Sequence, residues 1–171
     1  MTELTRDYAV RIYGTPATKG SLKCIGARGN IKHQLVEQLE KMLTPWRALV
    51  VKGGMALPVT GLVGPVGVEM TVTIARPKSH YRTGRYAHLL RDDAPPWPCQ
   101  EGTGDVDKYG RAVLDSLQTG KASTPGAGTV KTDAQVVELT ARKCYSDTPG
   151  ATDRLERPGC VIRLYPIGQE D

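Results

Sequence analysis

Apolar and polar residues alternate across Tyr8-Ala9-Val10-Arg11-Ile12-Tyr13, with Tyr8, Val10 and Ile12 on one face, until Gly14 and Pro16 end the run. This predicts a first strand. From Asn30, a residue suited to an N-cap, Ile31, Leu35, Leu39 and Met42 recur at helical spacing. They predict an amphipathic helix that stops at Pro45. The clearest alternation runs over residues 66–74, where Val66, Val68, Met70, Val72 and Ile74 share one face and Gly67, Glu69, Thr71 and Thr73 the other. It predicts a strand with one buried and one solvated side. A basic stretch, 76–86, and the proline-rich 94–98 then predict a long loop. Over 106–117 the period becomes helical, with Tyr109, Val113 and Leu117 on one stripe and Asp107, Arg111 and Asp115 on another. After a Gly/Thr/Pro segment at 119–129, residues 130–143 and 160–165 read as strands.

Strands mixed with two helices, without a regular βαβ series, point to an α+β (mixed α/β) class with a mixed sheet. At 171 residues the chain suits a single domain, 1–171, and no internal repeat divides it. With no Phe and only two Trp, the interior must be built from aliphatic side chains. The four cysteines, Cys24, Cys99, Cys144 and Cys160, form no CxxC pair, so they read as scattered reduced thiols rather than zinc ligands. No stretch approaches the ~20 apolar residues of a membrane span, and the first residues lack a signal-peptide core. The expectation is a soluble, cytoplasmic protein with no membrane partner.

A formal net charge of +5 favours a polyanionic partner. The cations gather in two places: Lys19, Lys23, Arg28 and Lys32, then Arg76, Lys78, Arg82 and Arg85, with Tyr81 and Tyr86 interleaved in the second. Either cluster can track phosphates and the tyrosines can stack on an opened base; equally, these are ordinary solvated surface residues. Chemistry is most legible at Gly104-Asp105-Val106-Asp107-Lys108. Two carboxylates two residues apart repel each other unless a cation is shared between them, which suggests a magnesium site; the alternative is that they cap a helix. Asp133, at the front of a later strand-like run, would supply a third oxygen ligand, or else is a turn residue. Arg111 lies one helical turn after Asp107, where it can pair with that carboxylate or reach a phosphate. Asp115, next on the stripe, is expected to neutralise Arg111 or face solvent. Lys143 shares strand parity with Asp133, but ten extended residues separate them by about 33 Å. No phosphate loop, dinucleotide fingerprint, serine-hydrolase elbow or histidine metal spacing is present.

The run Asp105-Val106-Asp107-Lys108, Arg111, Asp115 and the later Thr132-Asp133-Ala134-Gln135-Val136 together resemble the RusA family of Holliday junction resolvases, whose pattern is approximately Pro-Asp-x-Asp-Asn, a lysine, an aspartate, a loop and Asp-Asp-x-x-Val. Gly14-Thr15-Pro16-Ala17-Thr18-Lys19-Gly20-Ser21 is similar to the family's first-strand exit, and Lys143-Cys144-Tyr145 to its Lys-x-Tyr, so the likeness spans most of the chain. It departs at Gly104 for proline, Lys108 for asparagine, Arg111 for lysine and Thr132 for the first aspartate of the later pair. The resemblance implies a homodimeric endonuclease, of a kind often encoded by phages, that uses Mg2+, with Mn2+ as a substitute, to cut four-way or other branched double-stranded DNA. It implies Asp105, Asp107 and Asp133 as metal-binding catalytic carboxylates, with Arg111 in the lysine's place. Lys19, Arg28, Lys78, Arg82, Arg85 and Lys108 are then the candidate DNA contacts. A non-catalytic relative that only binds branched DNA is the alternative.

Overall fold

The computed structural model describes residues 8–20, 22–25, 34–37, 40–120 and 126–168. In chain order these form β1 (Tyr8–Tyr13), β2 (Leu22–Ile25), β3 (Gln34–Glu37), α1 (Glu40–Met55), β4 (Val66–Ile74), α2 (Val106–Leu117), β5 (Val136–Tyr145) and β6 (Gly159–Pro166). Single 3-10 turns occupy Lys78–His80, Gly84–Tyr86 and Asp133–Gln135. A four-stranded sheet has the order β1-β6-β4-β5, and β2 and β3 form a separate antiparallel pair. The class is α+β, as the mixture of strand and helix patterns implies. β4 and β5 run parallel, while β6 is antiparallel to both β4 and β1. Because α2 is the link between two parallel neighbours, β4–α2–β5 is one βαβ unit. Among the described residues, no helix is long and apolar enough to cross a membrane.

The core lies between the sheet and the two helices. Val66, Val68, Met70 and Val72 of β4, Ile162 and Leu164 of β6, Leu43, Trp46 and Val50 of α1, and Ala112, Val113 and Leu117 of α2 are all buried there. Tyr109 is buried with Val113 and Leu117, so the predicted stripe of α2 is its packed face.

Three expectations need correction. The helix predicted from Asn30 to Pro45 is displaced: Gln34–Glu37 is a strand paired with Leu22–Ile25, and α1 starts at Glu40 and continues through Pro45. Asn30 and Ile31 lie outside the described residues. Pro45 sits early in the helix and forgoes one backbone bond, while burial of Leu43, Trp46 and Val50 at i, i+3 and i+7 outweighs that loss. Next, β4 is covered on both faces rather than one. The Tyr165 ring lies on Gly67 where a side chain would stand, and the buried Thr73 hydroxyl accepts the Leu155 N–H at 2.9 Å. Finally, the strand expected over 130–143 begins only at Val136, after a 3-10 turn capped by Thr132 and Gln135. The Gln135 amide fixes that turn, accepting the Lys131 N–H at 2.7 Å and donating to the Leu62 carbonyl at 2.8 Å.

Candidate functional site

The segment 102–105 delivers the aspartate pair to the start of α2. Gly104 has φ +77°, a left-handed conformation that glycine adopts freely and proline, with φ near −65°, does not. A side chain here would press on Thr18 and Tyr109, so this entry to the helix is built for glycine. Lys143 secures it from the sheet: its ammonium donates to the Gly104 carbonyl at 2.6 Å and to the Thr103 hydroxyl at 3.1 Å. Tyr109 adds a bond from its hydroxyl to the Thr103 carbonyl at 3.1 Å.

Asp105 is the N-cap residue by backbone geometry, but its side chain makes no capping hydrogen bond. It turns instead to Lys108, whose ammonium is 2.7 Å from Oδ2. That hydrogen bond and the accompanying charge attraction hold the Asp105 carboxyl below its usual range and raise the Lys108 ammonium above its own. Asp105 remains 63% exposed, so the pair is a solvent-side contact that rearranges at little cost. Lys108→Asn is expected to move the Asp105 titration upward, toward the ordinary carboxylate range. Carboxyl NMR across the acid limb checks this, and an unmoved Asp105 resonance would contradict the pairing.

Asp107 and Arg111 are both exposed on α2, and they begin the predicted polar stripe. Asp115 does not pair with Arg111. It binds Lys19, whose ammonium is 2.5 Å from Oδ2, so this candidate DNA contact ties the exit of β1 to α2. The Lys19 N–H also donates to the Lys108 carbonyl at 3.1 Å. Arg28 lies outside the described residues.

Asp133 is exposed, in the turn before β5, and it does not join the pair. α2 runs antiparallel to β5: Lys143 near the end of β5 meets Gly104 at the helix start, Leu139 lies against Gly110, and beyond the helix end Gln118 bridges Val130. Twelve helical residues span about 18 Å, so Asp133 stands toward the opposite end of α2 from Asp105 and Asp107. Among the described residues, no three of His, Cys, Asp and Glu lie where they share an ion. Within one chain the three aspartates therefore do not fit the magnesium shell that the resemblance implies.

The loop after β4 forms an arm at the same end of the sheet as Asp105. Tyr81 bridges Leu90, Arg82 N–H donates to the Leu89 carbonyl at 2.9 Å, and every residue from 82 to 89 is exposed, Tyr86 and Leu89 included. Lys78 is exposed near its base; Arg82 pairs with Asp92 at 2.7 Å, and the Arg85 guanidinium lies 4.7 Å from the Tyr86 ring centroid. Arg76, grouped with these cations in the sequence, has a different job. Its side chain is only 5% exposed; it donates to Asp147 at 2.6 Å and to the Pro95 carbonyl at 2.8 Å, and lies 4.1 Å over the Tyr145 ring. Thr148 donates to the neighbouring Pro96 carbonyl at 2.7 Å. The prolines offer no N–H, so this segment is fastened through its carbonyls.

Sequence reasoning did not assign Arg76, Thr148 and Lys143 to these tasks. For Lys143 a signal was present: it shares parity with Leu139 and Ala141, the apolar residues of β5 on the α2 side. No family model matches the chain, and no curated protein matches it.

Proposed function

We propose that this chain binds branched double-stranded DNA at the end of the sheet where β4 and β5 finish, and that it belongs functionally with structure-specific endonucleases of the Holliday junction resolvase type. One juxtaposition carries the reading. An exposed arm bearing Lys78, Arg82, Arg85 and Tyr86 leaves the sheet at the same end at which Asp105, Asp107, Lys108 and Arg111 stand on the first turns of α2. The arm's cations meet backbone phosphates, its tyrosine offers a stacking surface for a base unpaired at a branch point, and Arg111 presents a planar guanidinium to a phosphate next to the carboxylates. DNA binding and homodimerisation are parts of the same proposal, because paired cuts in a four-way junction call for two sites related by a two-fold axis.

Magnesium, with manganese as its substitute, is the cofactor this chemistry calls for, and a bound cation would polarise the phosphate and lower the pKa of an attacking water. The carboxylates of one chain do not assemble that site. This favours a second reading, a binder of branched DNA without cleavage.

A labelled synthetic four-way junction separates the two. The expected result is binding with a steep salt dependence, nicking that requires magnesium, and Asp107→Asn cutting at least ~100-fold more slowly at unchanged affinity. Tight binding by the parent without nicking selects the second reading. Affinity that is equal for branched and linear duplexes, or insensitive to salt, overturns both.

A further inference from the structure

Between the arm and the aspartates the chain runs Ala94-Pro95-Pro96-Trp97-Pro98. Every carbonyl from 95 to 98 is held. Arg76 donates to that of Pro95 at 2.8 Å and Thr148 to that of Pro96 at 2.7 Å. The Cys99 N–H donates to the Trp97 carbonyl at 2.9 Å. The Thr103 hydroxyl stands 3.0 Å from the Pro98 carbonyl and 2.7 Å from that of Gln100, and shares its proton between them. Prolines on both sides restrict the Trp97 backbone further. A segment that belongs to no helix or strand is thereby made rigid.

The rigidity does not serve to bury the indole. Trp97 is 42% exposed, and its ring makes no hydrogen bond, aromatic contact or cation contact among the described residues. Single apolar side chains on a surface are ordinary. A tryptophan whose whole backbone is fixed with the ring turned outward is not, because the freedom to fold back onto the protein is gone. The chain has no Phe and only two Trp, and the other one, Trp46, is in the core. The anchors locate the ring: Arg76 lies two residues beyond the end of β4, Thr148 three beyond the end of β5, and Thr103 two before Asp105. Lys143 bonds the same Thr103 hydroxyl at 3.1 Å. Trp97 therefore stands where β4 and β5 finish and α2 begins, at the root of the arm rather than at its tip.

We infer that the Trp97 indole is a stacking platform for a nucleobase left unpaired at a branch point, seated beside the start of α2. A base inside an intact duplex has both faces covered by its neighbours, so an indole reaches one only where the stack is interrupted. Stacking is tolerant of sequence, because every base has a π-face. A platform already ordered in the free protein loses little conformational freedom on binding. The inference rests on the branched-DNA reading for its ligand. It adds to that reading a fixed point at the aspartate end, so that the strand carrying the stacked base is led past Asp105, Asp107 and Arg111.

In Trp46→Phe, tryptophan emission comes from Trp97 alone. It is expected to fall at least ~2-fold when a synthetic four-way junction binds, and to change little with a long linear duplex, where only the end pairs expose a base face. Trp97→Ala, with the buried Trp46 reporting that the fold is kept, is expected to bind the junction ~5- to 150-fold more weakly, the equivalent of one lost base–aromatic stack, and the linear duplex as before. Trp97→Tyr is expected to restore most of that loss and Trp97→Leu little, because leucine is apolar without a π-face. Junction binding with Trp97 emission unmoved, an equal loss on junction and linear duplex, or a rescue by leucine as complete as that by tyrosine would overturn the platform and leave the branched-DNA reading to the arm and α2. Emission that shifts with protein concentration in the absence of DNA would overturn it in favour of a protein interface. No junction binding by the parent overturns the proposed function, and the platform with it.

Discussion

Trp46→Ala is expected to lower the free energy of unfolding by about 3–5 kcal/mol, the range for deleting a fully buried large aromatic side chain. Trp46 is 1% exposed in the core cluster between α1, α2 and the sheet. Its indole Nε1 has no hydrogen-bond partner among the described residues. The loss should therefore come from the cavity and the missing dispersion contacts, with no hydrogen bond in it. Trp46→Phe isolates that point: it keeps most of the ring, deletes the unpartnered donor, and is expected to cost no more than about 1–2 kcal/mol. Urea unfolding at constant slope measures both. A Phe variant as unstable as the Ala variant would mean that the indole N–H is bonded in solution. Because α1 packs on α2, the Ala variant is also expected to loosen the helix that carries Asp105 and Asp107.

The behaviour of α1 shows where local pattern loses authority. Residues 31–42 have helical spacing, yet Gln34–Glu37 pairs as a strand, because strand pairing with Leu22–Ile25 is a gain that periodicity within one segment does not reveal. The true helix was hidden by Pro45, read as a stop, although Leu43, Trp46 and Val50 mark its buried side. β1, β4, α2 and β6 were legible nearly to the residue, since each has a clean period bounded by glycine or proline or by a change of period. β4 was still misjudged on its second face: Thr71 and Thr73 are buried as the price of a central position, with the Leu155 backbone supplying the bond that makes Thr73 tolerable there.

At the candidate site, local sequence disclosed residue types but not distances. Asp105 and Asp107 do stand at a helix start, as their spacing implied, and the helix-cap alternative fails for Asp105 because Lys108 takes its carboxylate. The direction of α2 against β5 decided the rest. It carried Lys143 to Gly104 and left Asp133 at the far end, a consequence of the βαβ connection that appears only once β4 and β5 are known to be parallel neighbours.

Arg76→Ala is expected to release the arm while the sheet stays folded, at a cost of about 2–4 kcal/mol for the lost charge-assisted bonds and ring contact. Asp147 is 45% exposed and rehydrates when its partner goes, which keeps the cost below that of stranding a buried charge. The Tyr145 ring is fully buried and has no such recourse. Arg76→Lys should recover only a part, since one ammonium cannot bond Asp147 and Pro95 while lying flat on the ring. Hydrogen exchange is expected to rise across residues 78–98 and to stay low in β4 and β6. If the arm is the DNA contact, a looser arm must be ordered again on binding, and affinity for a four-way junction should fall by at least ~10-fold with little change in its salt slope, because Lys78, Arg82 and Arg85 are still present. Faster exchange in the arm with undiminished junction affinity would move the DNA surface elsewhere, onto the first turns of α2.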